Sequence, residues 1–575
     1  MKKLLIGNEA VARGFYEAGL RVASSYPGTP STEVTEFIAK YDEIYSEWAP
    51  NEKGAMEVAL GASISGARSF CAMKHVGLNV AADPLFTASY TGVNAGMVVV
   101  VADDPGMHSS QNEQDSRHYA KASKTMMLEP SDSQECYDYA KLALELSEKF
   151  DTPVILRLTT RVAHSRSLVD IAEREERELL PYTKDPMKNV MMPGMAIKKH
   201  IIVEDRILKQ TEWAETADIN TVEYNDKKIG VICAGITYQY AKEALGDKAS
   251  YLKLGCVYPL PVELIKNFAA ECDKVYVLEQ LDPYIEEHCK ANGINVIGKE
   301  AFTLQGEYSQ KLISKVILGE EKENYTAEVN VPARPPVLCA GCPHRGLYYA
   351  LKKLGVYVSG DIGCYTLGAL KPLGMLDTCI CMGASVSALH GRNKADASNA
   401  KKSVAVIGDS TFMHSGVTGL IDIAYNQSNS TVIILDNSIT GMTGHQDNPT
   451  TGKTIKGDPT TAVSLEMLAK AVGIDRVRVV DPYNLKECED VIREELEADE
   501  PSVVISRRPC ALLKYVKHSA PLKIDEDKCV GCKMCMKIGC PAISFKDGKS
   551  KIDFTQCVGC RVCSQLCKFD AITEG

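Results

Sequence analysis

The sequence predicts a multi-domain α/β protein built on doubly wound parallel sheets, with a small α+β domain rich in cysteine at its C-terminal end. Three observations predict this fold class. Runs of β-branched residues alternate with Ala- and Glu-rich segments, polar residues follow many of these runs, and eight of the 21 cysteines lie in the last 50 residues. Such alternation is typical of βαβ units and therefore of parallel sheets. A length of 575 residues predicts three or four domains.

The bulk composition argues against several classes of protein. Hydrophobic residues make up 45% and charged residues 24% of the chain, as in ordinary globular proteins. The formal net charge of −10 gives no indication of nucleic-acid binding. Apolar runs such as residues 97–102 are too short to span a bilayer, and the first residues, MKKLLIGNEAVARG, lack the features of a signal peptide. We therefore expect a cytoplasmic protein with no nucleic-acid or membrane partner and with reduced cysteines.

Residues 1–160 are predicted to form a first doubly wound domain. The strands are predicted at residues 3–6, 22–26, 69–73, 97–102 and 154–158. Polar segments follow three of the turns, at residues 25–33, 51–54 and 103–117; the second of them opens a predicted helix at 54–67. The loop at 103–117 is long and rich in titratable groups, which favours a functional loop over a merely solvated one.

The middle of the chain is predicted to hold a connector and a second α/β unit. Residues 161–222 are charged and rich in Met and Lys, and we interpret them as a helical connector with a solvated face. Residues 223–318 are predicted to form a further α/β unit. Its three predicted strands lie within residues 227–235, 251–261 and 273–280. The cysteines there lack ligand spacing and are interpreted as small buried hydrophobes: Cys233, Cys256, Cys272 and Cys289.

A third α/β domain is predicted at 331–515, after a proline-rich linker at 331–336. Within it, the run SVAVI ends in Gly408-Asp409-Ser410, and a later run, TVIIL, ends in Asp436-Asn437. Ligands of open parallel sheets bind at these carboxyl ends of strands. Asp409 and Asn437 are hard oxygen donors suited to Mg²⁺ beside a diphosphate. Gly-Asp with a later Asn resembles the thiamine diphosphate (ThDP) motif; an ordinary βα turn is the alternative.

Residues 520–575 carry two successive Cys-x2-Cys-x2-Cys runs, each with a fourth cysteine. In two-cluster ferredoxins the fourth cysteine of each run ligates the other 4Fe-4S cluster. The assignment is therefore one cluster on Cys529, Cys532, Cys535 and Cys567, and a second on Cys557, Cys560, Cys563 and Cys540. Two departures from the usual bacterial pattern are a fourth residue before Cys540 and Lys568, instead of proline, after Cys567. Zinc is the competing interpretation, and the paired triplets favour clusters.

A ThDP site and a one-electron carrier on one chain narrow the chemistry. ThDP promotes loss of CO₂ from a 2-oxo acid and leaves an electron-rich product. That product can be protonated to an aldehyde, or it can be oxidised in two one-electron steps. Only the second route needs iron–sulfur clusters.

Here the residues resemble a known family. The segments are YPGTPSTE, DDPGMHSSQNEQDSR, LCAGCPHRG, SGDIGCYTLG, CMGAS, GDSTF, LDNSITGMTGHQDNPTTG, RRPC and the ferredoxin-like tail, which together span residues 25–567. The chain resembles the large (alpha) subunits of indolepyruvate ferredoxin oxidoreductases, within the 2-oxoacid:ferredoxin oxidoreductases. The resemblance implies a pyrimidine-binding domain at 1–160, a transketolase C-terminal-like domain at 223–318, a diphosphate-binding domain at 331–515 and a two-cluster ferredoxin domain at 520–575.

The resemblance also implies the reaction and the partners. An arylpyruvate such as indolepyruvate, CoA and two oxidised ferredoxins would give the aryl-acetyl-CoA, CO₂ and two reduced ferredoxins. A small beta subunit is implied, with two copies of each subunit in the assembly. The preference for an aryl side chain over a branched aliphatic one rests on the resemblance alone.

The roles of individual residues follow from the same resemblance. Asp409, Asn437 and the Ile439 carbonyl would hold Mg²⁺ between the ThDP phosphates. Glu52 would hydrogen-bond the aminopyrimidine ring and promote its imino tautomer, with Glu57 as the second choice; a carboxylate complementing a helix dipole is the alternative for Glu52. The implied cofactor-binding residues are Glu52, His344, Cys364, Tyr365, Met382, Gly408, Asp409, Ser410, Asn437, Ile439, Gly441, Met442 and Thr443.

Two candidate substrate contacts are Thr29 and Arg117. Thr29 lies in the YPGTP turn and is a candidate contact to substrate or pyrimidine. Arg117 is a candidate for the substrate carboxylate, because a guanidinium can grip it at two points. A structural salt bridge from Arg117 to Asp115 or Glu113 is the alternative.

Two histidines and four further cysteines complete the candidates. His344 and His445 lie on phosphate-side turns and are expected to position groups. In related oxidoreductases corresponding turns supply four thiolates for a cluster close to ThDP, which implies a third 4Fe-4S cluster. Ordinary buried thiols are the alternative for these cysteines, namely Cys339, Cys342, Cys364 and Cys510.

Two competing functions remain open at this stage. The first is a non-oxidative ThDP decarboxylase or carboligase whose tail serves structure or regulation, with an aldehyde as its only product. The second is an electron-transfer adaptor with a degenerate ThDP fold, which would retain no ThDP on purification.

Overall fold

The computed structural model describes residues 1–321, 331 and 335–575. The chain divides into two compact units, Met1–Glu328 and Val329–Gly575. The linker predicted at 331–336 therefore lies partly outside the described residues. Each unit is built on parallel sheet, as the sequence predicts, so the predicted α/β fold class is confirmed.

The first unit alternates strands and helices from its first residues. Its strands are β1 Lys2–Ile6, β2 Val22–Ser25, β3 Tyr45–Trp48, β4 Ser69–Lys74, β5 Met97–Asp103, β6 Met127–Leu128, β7 Val154–Thr159, β8 Arg166–Asp170, β9 Thr221–Glu223, β10 Ile229–Ala234, β11 Ser250–Leu254, β12 Cys256–Tyr258 and β13 Lys274–Leu278. Its helices are α1 Gly7–Glu17, α2 Thr32–Ile38, α3 Glu52–Ile64, α4 His75–Val80, α5 Ala82–Thr91, α6 Arg117–Ser123, α7 Ser133–Phe150, α8 Thr160–His164, α9 Pro186–Asn189, α10 Pro193–Thr216, α11 Ile236–Leu245, α12 Val262–Ala270, α13 Tyr284–Ala291 and α14 Gln310–Leu318.

A seven-stranded sheet with the order β12-β6-β7-β5-β4-β2-β3 forms the centre of this unit. Its strands from β6 to β3 are parallel. Every residue of β5 is buried. Val98 and Val100 pack into one hydrophobic core, and Val99 and Val101 pack into another. Apolar residues on both faces of β5 require cover on both faces, and ligands of such sheets bind outside the carboxyl ends of the strands.

A second, four-stranded sheet has the order β13-β10-β11-β9, with β9 antiparallel to its neighbour. The single strand predicted within residues 251–261 is in fact two. Gly255 separates β11 from β12, and β12 pairs with β6 in the first sheet instead. A side chain at Gly255 would collide with the Tyr139 hydroxyl and the Ile219 carbonyl, so a glycine is needed where the chain changes sheets.

One further sequence prediction in this unit is wrong, and one strand was not predicted. The strand predicted at residues 3–6 is not part of the doubly wound sheet; β1 pairs antiparallel with β8 in a two-stranded ribbon. Only Leu5 of β1 is fully buried, which suits an edge and not a central parallel strand. In addition, β3 was not predicted; this strand ends shortly before the polar segment at residues 51–54.

The connector predicted as helical at 161–222 is helical only in part. After β8, residues 171–185 have no regular secondary structure, and the long helix α10 begins at Pro193. The irregular part is held by hydrogen bonds to the first helix and the turn that follows it. Arg174 Nη1 donates to the Tyr16 carbonyl at 2.6 Å, and Ala172 N donates to Glu17 Oε1 at 3.0 Å. These tertiary bonds outweigh the helix propensity of the Glu- and Arg-rich sequence.

The second unit contains a six-stranded parallel sheet with the order β15-β14-β16-β17-β19-β18. Its strands are β14 Tyr357–Gly360, β15 Thr378–Cys379, β16 Ser403–Gly408, β17 Thr431–Asp436, β18 Arg476–Val480 and β19 Ser502–Arg507. Its helices are α15 His344–Leu354, α16 Ala384–Ala395, α17 Asp409–Thr411, α18 Val417–Tyr425, α19 Leu465–Ala471 and α20 Leu485–Glu497. Val404 and Val406 face one core and Ala405 and Ile407 the other, so this sheet is also covered on both faces.

The C-terminal segment forms two antiparallel ribbons around its cysteines. They pair β20 Leu522–Ile524 with β23 Ile572–Glu574, and β21 Ile543–Lys546 with β22 Lys549–Ile552. Short 3-10 turns at Met534–Ile538 and Ser564–Leu566 carry parts of the two cysteine runs. Among the described residues, no helix has both the length and the apolar character needed to cross a bilayer.

Candidate functional site

The carboxyl ends of β16 and β17 bring three oxygen donors together. Asp409 follows β16, and Asn437 follows β17; both side chains are buried, as is Ile439. One terminal amide atom of Asn437 lies 2.7 Å from the Ile439 carbonyl oxygen and 3.3 Å from Asp409 Oδ1. If that atom is nitrogen, it donates to both. If it is oxygen, three oxygens face one another, which is the donor set that a hard cation such as Mg²⁺ prefers.

Electrostatics at Asp409 also favour a cation. Burial, with a further contribution from the negative charge of Asp436, raises the pKa of Asp409 to about 7. Its Oδ2 accepts long hydrogen bonds, at 3.4 Å from Asn448 Nδ2 and 3.3 Å from Thr450 Oγ1. Since a buried carboxylate is costly without a counter-charge, these residues fit a Mg²⁺ ion holding a diphosphate.

Several residues predicted to surround the diphosphate lie at the same carboxyl edge of the sheet. We call this set the diphosphate rim; it includes His344, Tyr365, Gly408 and Ser410. A side chain at Gly408 would come within 2.8 Å of the Tyr365 ring, so Gly408 lets that ring pack on the end of β16. His344 meets Tyr365 edge to face at 5.9 Å, and burial lowers the pKa of His344 to about 4, which keeps it neutral. Ser410 accepts a 3.0 Å hydrogen bond from Thr440, in the turn after β17.

The neighbouring turns are held by a separate carboxylate. Asp361, which follows β14, accepts hydrogen bonds from the backbone N–H groups of Gly383 and Ser385, both at 2.9 Å. These bonds fix the turn that carries Met382.

In the turn after β17, Thr443 donates to Gln446 at 2.5 Å, while Met442 is half exposed at 52%.

Four cysteines from distant parts of the second unit converge beside this rim. Burial, the largest cause, and the thiols of Cys339 and Cys364 raise the pKa of Cys342 to about 12. Burial, with Cys510 and Cys339, likewise raises the pKa of Cys364 to about 11. A Cβ on Gly441, in the turn after β17, would lie 3.3 Å from Cys364 Sγ. Each thiol predicted for a third cluster therefore lies close enough to another of them to influence a pKa, and Cys364 adjoins the turn after β17.

Four of the eight tail cysteines line one pocket, namely Cys529, Cys532, Cys535 and Cys567. Burial, with the thiols of Cys560, Cys540, Cys557 and Cys535, raises the pKa of Cys563. Backbone N–H groups already point at sulfur: Leu522 N donates to Cys557 at 3.3 Å and Ala571 N to Cys567 at 3.4 Å. Such donors stabilise thiolates and suit cluster ligation.

The three Cys-x-Gly-Cys turns share one backbone geometry. Gly341, Gly531 and Gly559 have φ of 69°, 70° and 68°. This left-handed conformation, which favours glycine, occurs between the first two cysteines of each set. The turn at Cys339 and Cys342 therefore matches the two ferredoxin-like turns in conformation as well as in sequence.

Sequence reasoning missed an arginine that links two of these groups. Arg345 is 4% exposed, and its Nε donates to the Cys339 carbonyl at 3.1 Å. Its Nη1 donates to the Ile538 carbonyl at 3.2 Å, shortly before Cys540. The position directly after the Cys-Pro-His run was the only indication in the sequence.

In the first unit, four adjacent parallel strands end at one edge. Thr29 lies beyond β2, Glu52 beyond β3, Lys74 ends β4 and Asp104 follows β5. Glu52 is 5% exposed, and a Cβ on Gly77 would lie 2.6 Å from its Oε1, so that glycine makes room for the carboxylate. Glu57 is half exposed and pairs with Lys53, away from this edge. Thr29 accepts a hydrogen bond through its carbonyl from Ser109 Oγ at 3.4 Å.

Arg117 forms a buried structural ion pair and is not positioned as a substrate contact. It is 1% exposed, and Nη1 lies 2.6 Å from Glu279 Oε2. Nε and Nη2 donate to Asp115 at 2.9 and 2.6 Å, and Nη2 also reaches the Gln280 carbonyl. Glu113 instead accepts from Gly106 N. The sequence-based alternative, a salt bridge to Asp115, is the arrangement present, because the loop folds Arg117 inward against β13.

Comparison with known proteins places these features in a family. The model "Thiamine pyrophosphate enzyme, C-terminal TPP binding domain" matches residues 361–506, "Pyruvate flavodoxin/ferredoxin oxidoreductase, thiamine diP-bdg" matches 13–230, and "4Fe-4S binding domain" matches 550–573. The curated relatives include proteins named indolepyruvate oxidoreductase subunit IorA. That of Archaeoglobus fulgidus is 42% identical over 96% of this chain and 98% of its own length, and that of Pyrococcus abyssi is 42% identical over 99% and 96%.

Among solved structures, the chain is similar to a 2-oxoglutarate:ferredoxin oxidoreductase from Magnetococcus marinus. The identity is 21% and the TM-score 0.48, over 55% of this chain and 65% of that one. A ThDP-dependent 4-hydroxybenzoylformate decarboxylase from Rhodococcus jostii matches with a TM-score of 0.26 at 14% identity, over 88% and 99%.

The fold and the matched domains define an oxidoreductase that uses ThDP and an iron–sulfur cluster. More narrowly, the chain belongs to the indolepyruvate oxidoreductase subunit family, within the 2-oxoacid:ferredoxin oxidoreductases. The resemblance drawn from the sequence motifs is confirmed.

Replacing Arg117 with methionine should destabilise the first unit. The change leaves the buried carboxylates of Asp115 and Glu279 without their cation, at a cost of about 3–5 kcal/mol. Thermal and denaturant unfolding of the purified protein measure it. Arg161→Met is the matched control, because Arg161 is half exposed and its pair with Glu307 should contribute no more than about 1 kcal/mol. A variant that unfolds like wild type and shows only a raised KM would return Arg117 to the substrate site.

Proposed function

We propose that this chain is the large subunit of an enzyme that oxidatively decarboxylates arylpyruvates. The reaction is indolepyruvate, CoA and two oxidised ferredoxins to indoleacetyl-CoA, CO₂ and two reduced ferredoxins. The observation that carries the proposal is the closeness of the turn after β17 to Cys364, whose Sγ would lie 3.3 Å from a Cβ placed on Gly441. A non-oxidative decarboxylase has no use for an electron acceptor at that position.

The residues that would hold the cofactors fit them. Asp409, Asn437 and the Ile439 carbonyl would bind Mg²⁺ and, through it, the diphosphate of ThDP. Glu52, buried behind Gly77, would hold a proton at the aminopyrimidine ring. Bound ThDP supplies the carbanion chemistry at the 2-oxo carbon, and bound clusters carry electrons singly.

We infer three 4Fe-4S clusters. The tail thiols would hold two of them, with the ligand sets interleaved as their sequence spacing predicts. The third would be held by Cys339, Cys342, Cys364 and Cys510. Its support is the mutual proximity of these thiols and the turn at Gly341, whose φ of 69° is close to those of the two ferredoxin-like turns.

The partners follow from the family. The relatives are named as one subunit of an oxidoreductase, so we propose a small partner subunit, two copies of each subunit, and ferredoxin as electron acceptor. CoA would accept the acyl group. No membrane or nucleic-acid partner is proposed.

The reaction itself is tested by anaerobic assay of the complex loaded with ThDP, Mg²⁺ and iron. Electron transfer to ferredoxin or a viologen dye should require both CoA and a 2-oxo acid, and indolepyruvate should outperform pyruvate and 2-oxoglutarate. Product analysis should find indoleacetyl-CoA. An aldehyde formed without CoA and without dye reduction would establish the non-oxidative alternative instead.

The cluster count is tested by metal analysis of variants. Wild type should hold about twelve irons per chain, and Cys510→Ala should hold about eight, because a 4Fe-4S cluster that loses one of its four thiolates is labile. Cys379→Ser is the matched control, since Cys379 is an exposed cysteine of the same unit outside the three sets and should leave the iron content unchanged. About eight irons in both wild type and Cys510→Ala would contradict a third cluster.

Asp409→Ala should abolish retention of ThDP. Removal of the carboxylate takes away one of three oxygen donors to Mg²⁺, and we expect the affinity for ThDP to fall by at least tenfold, about 1.4 kcal/mol. Quantitative release of ThDP and binding measured at several Mg²⁺ concentrations report the change. Asp475→Ala, at an exposed position of the same unit, should bind ThDP like wild type. Wild-type affinity in Asp409→Ala would refute the proposed magnesium site.

A further inference from the structure

A lysine that the sequence analysis did not consider lies at the carboxyl edge of the first unit. Lys74 is the last residue of β4, and it is 8% exposed. Its Nζ donates to the Ser109 carbonyl at 2.6 Å and to the Ser109 hydroxyl at 3.3 Å. An ammonium group has three donors, so one is left for another acceptor.

Lys74 is held against the turn that carries Thr29. A Cβ on Gly28 would come within 3.1 Å of Lys74 Cβ, so a larger residue would press on the lysine. Ser109, which binds the ammonium, also donates to the Thr29 carbonyl. The lysine, the threonine turn and the loop after β5 therefore form one connected surface.

Among residues 1–321, 331 and 335–575, no carboxylate forms an ion pair with Lys74. Burial lowers the pKa of Lys74 to about 8, with Asp104 opposing that shift. The Asp104 carboxylate is engaged elsewhere: it accepts from Ser109 N at 2.9 Å, Ser110 Oγ at 2.5 Å and Thr160 Oγ1 at 2.7 Å. A buried ammonium in this position gains stability from an anion supplied from outside the chain.

The next residue adds a second unused polar group. His75 is 1% exposed, and neither ring nitrogen has a hydrogen-bond partner within the described parts of the chain. The backbone of Asn112 approaches the ring without completing a hydrogen bond, and burial lowers the pKa of His75. Two adjacent buried residues with unspent polar atoms indicate a site built to receive a ligand.

We propose that Lys74 binds the carboxylate of the 2-oxo acid substrate, beside Thr29 and on the same strand edge as Glu52. This assignment rests on the proposed function and gives Lys74 the role first considered for Arg117. Every 2-oxo acid brings a carboxylate to the site, and the guanidinium of Arg117 is fully engaged by Asp115 and Glu279.

The chemistry of decarboxylation limits what Lys74 can do. The carboxylate loses its negative charge as CO₂ leaves, so a cation beside it stabilises the bound substrate at least as much as the transition state. Lys74 therefore contributes affinity and orientation, and its removal should raise KM while leaving kcat nearly unchanged.

The test compares an acid with its uncharged analogue in the complete, cofactor-loaded complex. The probes are indole-3-lactate and its primary amide, measured as competitive inhibitors against indolepyruvate. Wild type should bind the acid at least about tenfold more tightly than the amide, as expected for a charged hydrogen bond. Lys74→Met should bind the two within about twofold and show a KM raised at least about tenfold, and Lys74→Arg should retain part of the preference.

Lys121→Met is the matched control. It removes one positive charge from an exposed position on α6 of the same unit and should keep the wild-type ratio. Bound ThDP is quantified in every variant, because a merely structural lysine would change cofactor content or unfolding without changing the ratio of acid to amide.

Different results would refute the assignment of Lys74 and the proposed function. If the wild-type complex oxidises 2-oxo acids but Lys74→Met keeps the preference for the acid, the Lys74 assignment is overturned and the proposed function stands. The same holds if wild type itself shows no such preference. If wild type oxidises no 2-oxo acid, the proposed function fails and the assignment of Lys74 fails with it.

Discussion

A carboxylate buried at the end of a parallel strand is the constraint on which the second unit depends. Asp409 sits where β16 leaves the sheet, and burial together with Asp436 disfavours its charged form. Both faces of the sheet are packed into hydrophobic cores, and the carboxyl edge is where ligands of such sheets bind. In the proposed function, a divalent cation carrying the diphosphate of ThDP would supply the missing positive charge.

The cysteines of this unit have the same need for a nearby positive charge, and the group proposed to supply it is redox-active. Burial raises the pKa values of the Cys342 and Cys364 thiols and so makes both harder to ionise. Iron supplies the charge that permits several thiolates to share a small volume. The repeated left-handed glycine turn lets two cysteines approach one centre, and Arg345 ties the Cys339 turn to the chain just before Cys540.

Much of this arrangement could be predicted from the sequence, because the informative patterns are local. Each of these patterns indicates the structure of its own segment: Gly-Asp and Asp-Asn at strand ends, the triplets of cysteines, and the β-branched runs. The failures involve non-local contacts. The ribbon of β1 with β8, the transfer of β12 into the first sheet and the irregular segment at 171–185 are decided by distant partners. Arg117 turned inward because Glu279, far along the chain, lies within reach, and Lys74 was overlooked because a lysine ending a buried strand has no distinctive motif.

The central claim is that electrons released from a 2-oxo acid enter iron–sulfur centres of this chain one at a time. Rapid-freeze EPR of the loaded, ferredoxin-free complex tests it most directly. On mixing with indolepyruvate and CoA, signals of reduced 4Fe-4S clusters should appear within a turnover and account for up to two electrons per substrate consumed. Clusters that stay oxidised while CO₂ is released would contradict the account.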